Sequence, residues 1–272
     1  MPGVILSPSD IESFIERGHC RVEHAFDERL AGPARSRIWE LLEATTNIKE
    51  RDRSSWPPFH DIEEHIDAPE VLATFTDRLC AAIEEIEGRG RWAGRRRWGL
   101  WPVNFGLDAD LPYGIPQRGW HVDGNWFRHT LDCPLQGLLV MGLFTDIAPR
   151  GGGTLLAQGS HKRAARVLAR HPEGMTHTEF FNEVLEEPIG DLLEVTGATG
   201  DVFLIHPWLF HTRSMNHSGR PRIMSNTEAG LKEPMCFERP DGAYSTLETS
   251  IIRALAEAPR TPPGAFRAGY RN

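Results

Sequence analysis

A histidine and an aspartate two residues apart, His121 and Asp123, are the first candidates for metal chemistry in this chain. Residues at this spacing point to the same side of a β-strand, so both side chains could reach one ion. Two imidazoles and one carboxylate on one face of the metal form the ligand set of mononuclear non-haem Fe(II) oxygenases, which leaves coordination positions open. The spacing alone is weak evidence, because the composition produces about 0.6 such pairs by chance.

Other pairs with this spacing have plainer interpretations. A helix cap explains the aspartate of one pair, and the other two pairs lie in a helical segment, where this spacing separates side chains by about 200°. We expect the residues of the two helical pairs at the surface. The pairs are His65 with Asp67, His171 with Glu173, and His177 with Glu179.

A second histidine for the same site is expected near the end of an apolar strand that follows Gly200 and Asp201. His206, His211 and, less strongly, His217 compete for this role. Arg222 lies where the next strand begins, and an arginine can bind the distal carboxylate of 2-oxoglutarate with two parallel hydrogen bonds.

This segment resembles the C-terminal signature of the phytanoyl-CoA-dioxygenase-like (PhyH) family, in which Gly-Asp precedes the strand and the 2-oxoglutarate arginine lies eleven residues after the distal ligand. His211 and Arg222 have that spacing, so the resemblance favours His211, and His206 is expected in the core or pocket wall. Further similar stretches are Gly152-Gly153-Thr154, Gly159-Ser160-His161-Lys162 and the segment 6–26, with Asn216 and Ser218 between ligand and arginine. In this family position His161 is structural and caps a turn.

The resemblance implies one domain over residues 1–272, mainly β with flanking helices, folded as a double-stranded β-helix (jelly roll, cupin-like). It also implies an Fe(II)- and 2-oxoglutarate-dependent dioxygenase that uses O2 and releases succinate and CO2. Asp123 occupies the position where halogenases of the superfamily have a small residue. Hydroxylation is therefore preferred, and desaturation, epimerisation and cyclisation stay open.

Residues around these ligands are candidates for cosubstrate and substrate contacts. Asn104 is the first candidate for the C1 carboxylate of 2-oxoglutarate, with Gln117 or Thr154 as substitutes. Arg213 could face inward and bind an anionic substrate, or face outward into solvent. Six further residues are expected at the pocket mouth, the last two on a loop that could close over it: Asn125, Trp126, Arg128, His129, Trp56 and Phe59.

Hydrophobic periodicity divides the chain into helical and strand-forming parts. Helices are predicted in the N-terminal part, about 7–87, one of them over about 69–86, with a long loop over 45–66. A jelly-roll core is predicted over about 97–230. Within that core a helical insert is predicted over about 162–187, and a C-terminal helix over about 245–256. The predicted strands are 98–105, 119–123, 136–146, 154–157, 202–206 and 222–228.

The composition favours a small-molecule partner. A net charge of −8 disfavours nucleic-acid binding. The four cysteines form no Cys-x-x-Cys pair, and no apolar stretch reaches 18 residues, so we expect reduced thiols, no membrane association and a cytoplasmic location.

Two alternative functions remain open at this stage. One is a cupin-like metal-dependent isomerase or hydrolase, with Arg222 in a structural salt bridge, and the other is a non-catalytic metal-containing ligand-binding module. A role in bacterial secondary metabolism is a hypothesis, and the sequence specifies neither the substrate nor the oligomeric state.

Overall fold

A computed structural model describes residues 3–135 and 137–269. The helices are α1 (Pro8–Arg17), α2 (Glu28–Thr45), α3 (Pro69–Leu72), α4 (Asp77–Glu87), α5 (Ser160–Ala169), α6 (His177–Leu185) and α7 (Thr246–Ala256). The strands are β1 (His19–Val22), β2 (Phe59–Ile62), β3 (Trp101–Asn104), β4 (Leu138–Leu143), β5 (Leu155–Ala157), β6 (Leu192–Glu194), β7 (Val202–Ile205), β8 (His211–Thr212) and β9 (Arg222–Ala229). None of the described helices is both long and apolar enough to cross a membrane.

The strands form two antiparallel sheets that share one apolar interior. The large sheet has the order β1-β7-β4-β9-β3-β2, and the small sheet has the order β6-β5-β8. Met141 of β4, Phe203 of β7 and Met224 of β9 pack from the large sheet against Leu156 of β5 in the small one. This two-sheet arrangement with flanking helices confirms the predicted jelly-roll class.

Alternate residues of the large sheet point away from this interior and pack against the helices. Val140, Leu204 and Ile223 belong to the second apolar cluster, which also contains Phe14 of α1 and Ile38 of α2. Because both faces of the large sheet are covered, its central strands are apolar on both sides, as in β4, where all six residues are buried.

Local signals start and stop the helices. The Ser7 hydroxyl accepts from the backbone N–H of Asp10, and the Asp10 carboxylate accepts from the backbone N–H of Ser7, which forms a capping box at the start of α1. Gly18 ends α1 with φ of 87°, a left-handed conformation that glycine adopts without strain. A Cβ atom there would also lie 2.6 Å from Nδ1 of His161.

The structure differs from the predicted elements in three places. The predicted loop over 45–66 contains β2, which pairs with β3, so Phe59 lies on a strand and not on a mobile lid. The single helix predicted over 69–86 is divided, because Thr76 adopts an extended conformation and caps α4. The predicted strand over 119–123 is reduced to one bridge, between His121 and His211. Gln136, the first residue of another predicted strand, lies outside the described residues.

Candidate metal centre

The two candidate histidine ligands are direct neighbours across an antiparallel pair. The backbone N–H of His121 donates to the carbonyl of His211 at 3.0 Å, and the reciprocal bond measures 2.9 Å. Opposite residues in such a pair project their side chains to the same face of the sheet. The two rings accordingly have centroids 4.5 Å apart, although ninety positions separate the residues in sequence.

Asp123 completes the group because it lies two residues after His121. Its Oδ1 is 3.6 Å from Nε2 of His121 and 3.5 Å from Nε2 of His211. One potential ligand atom from each of the three side chains lies within 4.8 Å of the others. Metal bonds of about 2.0–2.2 Å at right angles separate ligand atoms by about 3 Å, so this group fits one transition-metal ion after a small contraction.

Backbone carbonyls fix both imidazoles in the tautomer that metal binding requires. Nδ1 of His121 lies 2.8 Å from the carbonyl oxygen of Gly119, and Nδ1 of His211 lies 3.0 Å from that of Leu209. A carbonyl can only accept, so both Nδ1 atoms carry the proton and both Nε2 lone pairs face the common centre. Nε2 of His211 is buried and has no hydrogen-bond partner, which is the expected state of a ligand atom.

The electrostatics of the group favour a bound cation. Burial, together with the charge of His211, lowers the pKa of His121 to about 4. Burial alone would raise the pKa of Asp123, but His211 and His121 outweigh it and lower that pKa. The site therefore presents a carboxylate and a neutral His121 near neutral pH. Burial would lower the pKa of His211, but the hydrogen bond and charge of Asp123 outweigh it and raise that pKa, so a metal ion binds Nε2 of His211 in competition with a proton.

Arg222 is a buried cation that faces the jelly-roll interior. Its Nε donates to the carbonyl of Gly152 at 2.8 Å and its Nη1 to that of Pro102 at 2.7 Å. Burial, followed by the charge of Arg213, lowers its pKa to about 10. Two backbone anchors therefore hold the guanidinium in place.

No described carboxylate forms a salt bridge with Arg222. The acidic groups nearest in electrostatic effect are Asp61 and Glu194. Asp61 pairs with Arg213, and Glu194 accepts from the backbone N–H groups of Arg150 and Gly153. A buried guanidinium without an anionic partner is a ready receptor for a ligand carboxylate.

The three candidates for the C1 carboxylate have different surroundings. Asn104 is fully buried, but its Nδ2 donates to the carbonyl of Ser214 at 3.2 Å and its Oδ1 accepts from the N–H of Gly106. Gln117 is exposed, and its amide reaches the carbonyl of Ile115. Thr154 is buried two residues before Leu156, so it shares the interior face of the small sheet. The surroundings favour Thr154 over Asn104 and disfavour Gln117, and the role itself stays a prediction.

Two cavities open on His121. The first, of about 560 Å³, contains Asp123, Asn125 and Trp126, and we name it the Glu228 cavity after the carboxylate in its wall. The second, of about 500 Å³, contains Phe59 and Arg213 and is named the Phe59 cavity. Four of the predicted substrate-contact residues therefore lie beside the metal group.

The other three predicted substrate contacts lie elsewhere, which corrects the expectation. Trp56 packs against Trp39 and Phe105, with ring centroids 6.2 and 5.8 Å away. Arg128 donates to the carbonyl of Gly174 and belongs to a different cavity, and His129 is a buried residue stacked on Phe180. Proximity to the ligands in sequence was a poor guide, because the chain turns away after Trp126.

Arg213 adopts neither of the two predicted extremes. Its guanidinium pairs with Asp61 and lies 5.3 Å from the ring centroid of Phe59, with 46% of the side chain exposed. Its charge nevertheless reaches inward, where it lowers the pKa values of Arg222 and His121.

Sequence reasoning missed four residues of the Glu228 cavity, namely His65, His177, Asn226 and Glu228. The interpretation of His177 as a plain surface residue was wrong, because α6 folds back and places it, half-buried, in the cavity wall. Alternation along β9 could have indicated Asn226 and Glu228, which share a face with Arg222. Burial, followed by the charge of Asp123, raises the pKa of Glu228 to about 7.

His206, one of the competing histidines, and His161 lie away from the metal group. His206 is buried against Phe14 and His161, with ring centroids 5.8 and 4.6 Å away. His161 reaches the carbonyl of Ile15 at 3.1 Å with its Nε2, so it binds the C-terminal end of α1. Both positions agree with the packing roles expected for these residues.

Comparison with known proteins supports these assignments at the level of fold and family. Residues 111–224 match the family model "Phytanoyl-CoA dioxygenase (PhyH)". A search of curated protein sequences found no significant match.

The chain is similar in structure to the non-heme alpha ketoglutarate dependent carbocyclase SnoK from nogalamycin biosynthesis, with a TM-score of 0.55, 17% identity, and coverage of 84% of this chain and 86% of SnoK. For the epimerase SnoN from the same biosynthesis the TM-score is 0.52 at 14% identity, with coverage of 97% of this chain and 94% of SnoN. For EctD from S. alaskensis, solved with 2-oxoglutarate and 5-hydroxyectoine, the TM-score is 0.53 at 18% identity, with coverage of 84% of this chain and 78% of EctD. The segment 111–224, which holds the three candidate ligands and Arg222, is therefore similar to the phytanoyl-CoA dioxygenase (PhyH) family, as the sequence pattern predicts.

Proposed function

We propose that this protein is an Fe(II)- and 2-oxoglutarate-dependent oxygenase of the hydroxylase type that acts on a small molecule in secondary metabolism. The observation that carries the proposal is the combination of the His121, Asp123 and His211 group with a buried Arg222 that has no anionic partner. Iron bound there would supply the redox chemistry, in which O2 oxidises the substrate while 2-oxoglutarate becomes succinate and CO2.

The protein would position the metal ion and 2-oxoglutarate and would keep water away from them. The Nε2 atoms of His121 and His211 and the carboxylate of Asp123 would occupy one face of the ion and leave the opposite face open. Arg222 would bind the distal carboxylate of 2-oxoglutarate with the donors that its two backbone anchors leave available. Met224, two residues further along β9, is part of the apolar interior that would keep water away from the cosubstrate.

The reaction type is inferred from Asp123 and from the described relatives. A carboxylate at this position occupies the coordination place that a halide would need, which supports oxidation without halogenation. EctD was solved with a hydroxylated compound, whereas SnoK is a carbocyclase and SnoN an epimerase. Hydroxylation is our first proposal, and cyclisation and epimerisation are the alternatives within the same class.

The cupin-like alternative has less support. It assigns Arg222 to a structural salt bridge, and none of the carboxylates in residues 3–135 and 137–269 provides one. The arginine instead has backbone partners only among the described contacts, which orient it without neutralising it.

Anaerobic titration of the protein with Fe(II) and 2-oxoglutarate tests the proposal. We expect the weak visible absorption band that arises when 2-oxoglutarate chelates ferrous iron, and we expect the band to be lost in His211→Ala and weakened in Arg222→Ala. Arg220→Ala is the matched control, since Arg220 is exposed and two residues away. Bound iron without a band in the wild-type protein would refute the 2-oxoglutarate dependence and favour the cupin-like alternative.

A further inference from the structure

One face of β9 presents a cation at one end and two oxygen acceptors at the other. Arg222, Met224, Asn226 and Glu228 occupy alternate positions, and Asn226 and Glu228 lie opposite Met141 and Leu139 of the interior cluster. A rise of about 3.3 Å per residue separates Arg222 from Glu228 by about 20 Å along the strand. The two ends can therefore serve different molecules, the cosubstrate at Arg222 and the substrate at Glu228.

Glu228 and Asn226 line the Glu228 cavity together with the ligands His121 and Asp123. The volume of about 560 Å³ is that of a small-molecule site. His177 of α6 and the indole of Trp126, which is 64% exposed, complete the wall on the side of the cavity mouth. A molecule in this cavity would thus lie directly against the metal group.

The charged side chains of this cavity other than histidine are all acidic. They are Glu63, Asp123 and Glu228, and the described lining contains neither lysine nor arginine. The negative charge of Asp123 would be offset by a metal ion. Glu228 has no such compensation, because no described basic side chain forms a salt bridge with it.

An independent observation points to a hydrogen-bond donor that must come from a ligand. Oδ1 of Asn226 is buried and has no hydrogen-bond partner among the described residues. A buried acceptor left unsatisfied is costly, and native structures rarely keep one without a reason. Two residues further along the same face, Glu228 offers a second acceptor, which a neighbouring cation would keep ionised.

We propose that the substrate carries a protonated amine that donates to Glu228 and Asn226, so that these two residues select cationic substrates. The inference rests on the proposed function, because it takes the Glu228 cavity as the place of oxidation. An ammonium group supplies several donors for these two acceptors and a positive charge, which neither lysine nor arginine supplies in the described lining. A carboxylate in the same position would be repelled by the ionised form of Glu228, and an alcohol would bring no charge to stabilise that form.

The test measures binding to Zn(II)-loaded protein that holds 2-oxoglutarate, because zinc retains the ligand geometry without supporting oxidation. Three probes of one shape, namely cyclohexylammonium, cyclohexanol and cyclohexanecarboxylate, are compared by ligand-observed NMR titration. Glu228→Gln removes the charge at nearly constant volume, and Glu64→Gln is the control, since Glu64 is exposed and outside the cavity lining. Binding of 2-oxoglutarate itself is recorded in the same samples.

We expect cyclohexylammonium to bind at least about tenfold more tightly than the other two probes, as a charge-assisted hydrogen bond predicts. This preference should disappear in Glu228→Gln and persist in Glu64→Gln. Equal binding of all probes, tighter binding of the carboxylate, no binding of the ammonium probe, or an unchanged preference in Glu228→Gln would each overturn the inference. If 2-oxoglutarate does not bind but the Glu228-dependent preference is present, the proposed function fails and the cationic selectivity stands.

Discussion

Replacement of Arg222 by lysine keeps a positive charge at the cosubstrate end of β9 but removes the planar fork of donors. The arginine uses Nε and Nη1 to bind the carbonyls of Gly152 and Pro102, and its remaining donors are available to a carboxylate. One ammonium group cannot serve both carbonyls and a bidentate carboxylate in the same directions. Burial already lowers the pKa of Arg222 to about 10, and a lysine in the same place would hold its proton less securely.

The expected losses follow from these contacts. A single charge-assisted bond in place of two removes about 1.5–3 kcal/mol of binding free energy, so the Kd for 2-oxoglutarate should rise about 10- to 100-fold. One of the two carbonyls would lose its buried partner, which costs about 1–3 kcal/mol in the free energy of unfolding. In a chain of this size each kcal/mol lowers Tm by about 2–4 °C.

Calorimetric titration of the Zn(II)-loaded protein with 2-oxoglutarate gives the first quantity, and thermal unfolding without cosubstrate gives the second. Arg220→Lys serves as the control and should resemble the wild-type protein in both. A Kd for Arg222→Lys within threefold of the wild-type value, in protein with a lowered Tm, would show that Arg222 is structural and that another residue binds the distal carboxylate.

Three further predictions concern metal binding, packing and pH. Zn(II) at about a hundred times its Kd should stabilise the fold by about 2.7 kcal/mol in thermal unfolding, and Asp123→Asn should lose most of this gain; an equal gain in both proteins would place the metal elsewhere. Gly142→Ala should lower the free energy of unfolding by about 1–3 kcal/mol in urea denaturation, because its Cβ would lie 2.6 Å from the buried ring of Trp98; no loss would mean that the ring can move. Burial, followed by the charge of Glu84, raises the pKa of Glu87, so this carboxyl favours folding below its unfolded pKa of about 4.3 and loses that contribution as the pH rises. The free energy of unfolding of Glu87→Gln should therefore exceed that of the wild-type protein at pH 8 but not at pH 4. An equal difference at both pH values would contradict a buried ionisation of Glu87.

The fold class could be predicted because the apolar pattern of its central strands is strong. β4, β7 and β9 were each located to within about three residues, since an apolar run between turn residues has few alternatives. The edge strand β2 was not predicted, because its half-buried residues Phe59–Ile62 follow Pro57 and Pro58 and carry little β signal. It forms by pairing with β3, which is tertiary information.

The residues of the metal group could be predicted from the sequence for a related reason. The spacing of His121 and Asp123 is local, and the spacing from His211 to Arg222 carries the family resemblance, so each of the two pairs could be predicted separately. The join between them, the reciprocal backbone bonds of His121 and His211, depends on a pairing across ninety residues and could only be assumed. The same limit applies to Arg213, whose partner Asp61 lies on the unpredicted strand.

The helical insert explains why the substrate-contact residues were predicted less accurately from the sequence than the metal ligands. The metal ligands and Arg222 lie on strands or next to one, where alternation fixes the direction of each side chain. His177 instead belongs to α6, and its place in the Glu228 cavity depends on how that helix packs back through Phe180 and Phe181. The core therefore fixes the chemistry, and the insert together with the far end of β9 shapes the space that the substrate must fill. Substitutions at His177 and Glu228 should change which molecule is oxidised more readily than they change metal or 2-oxoglutarate binding.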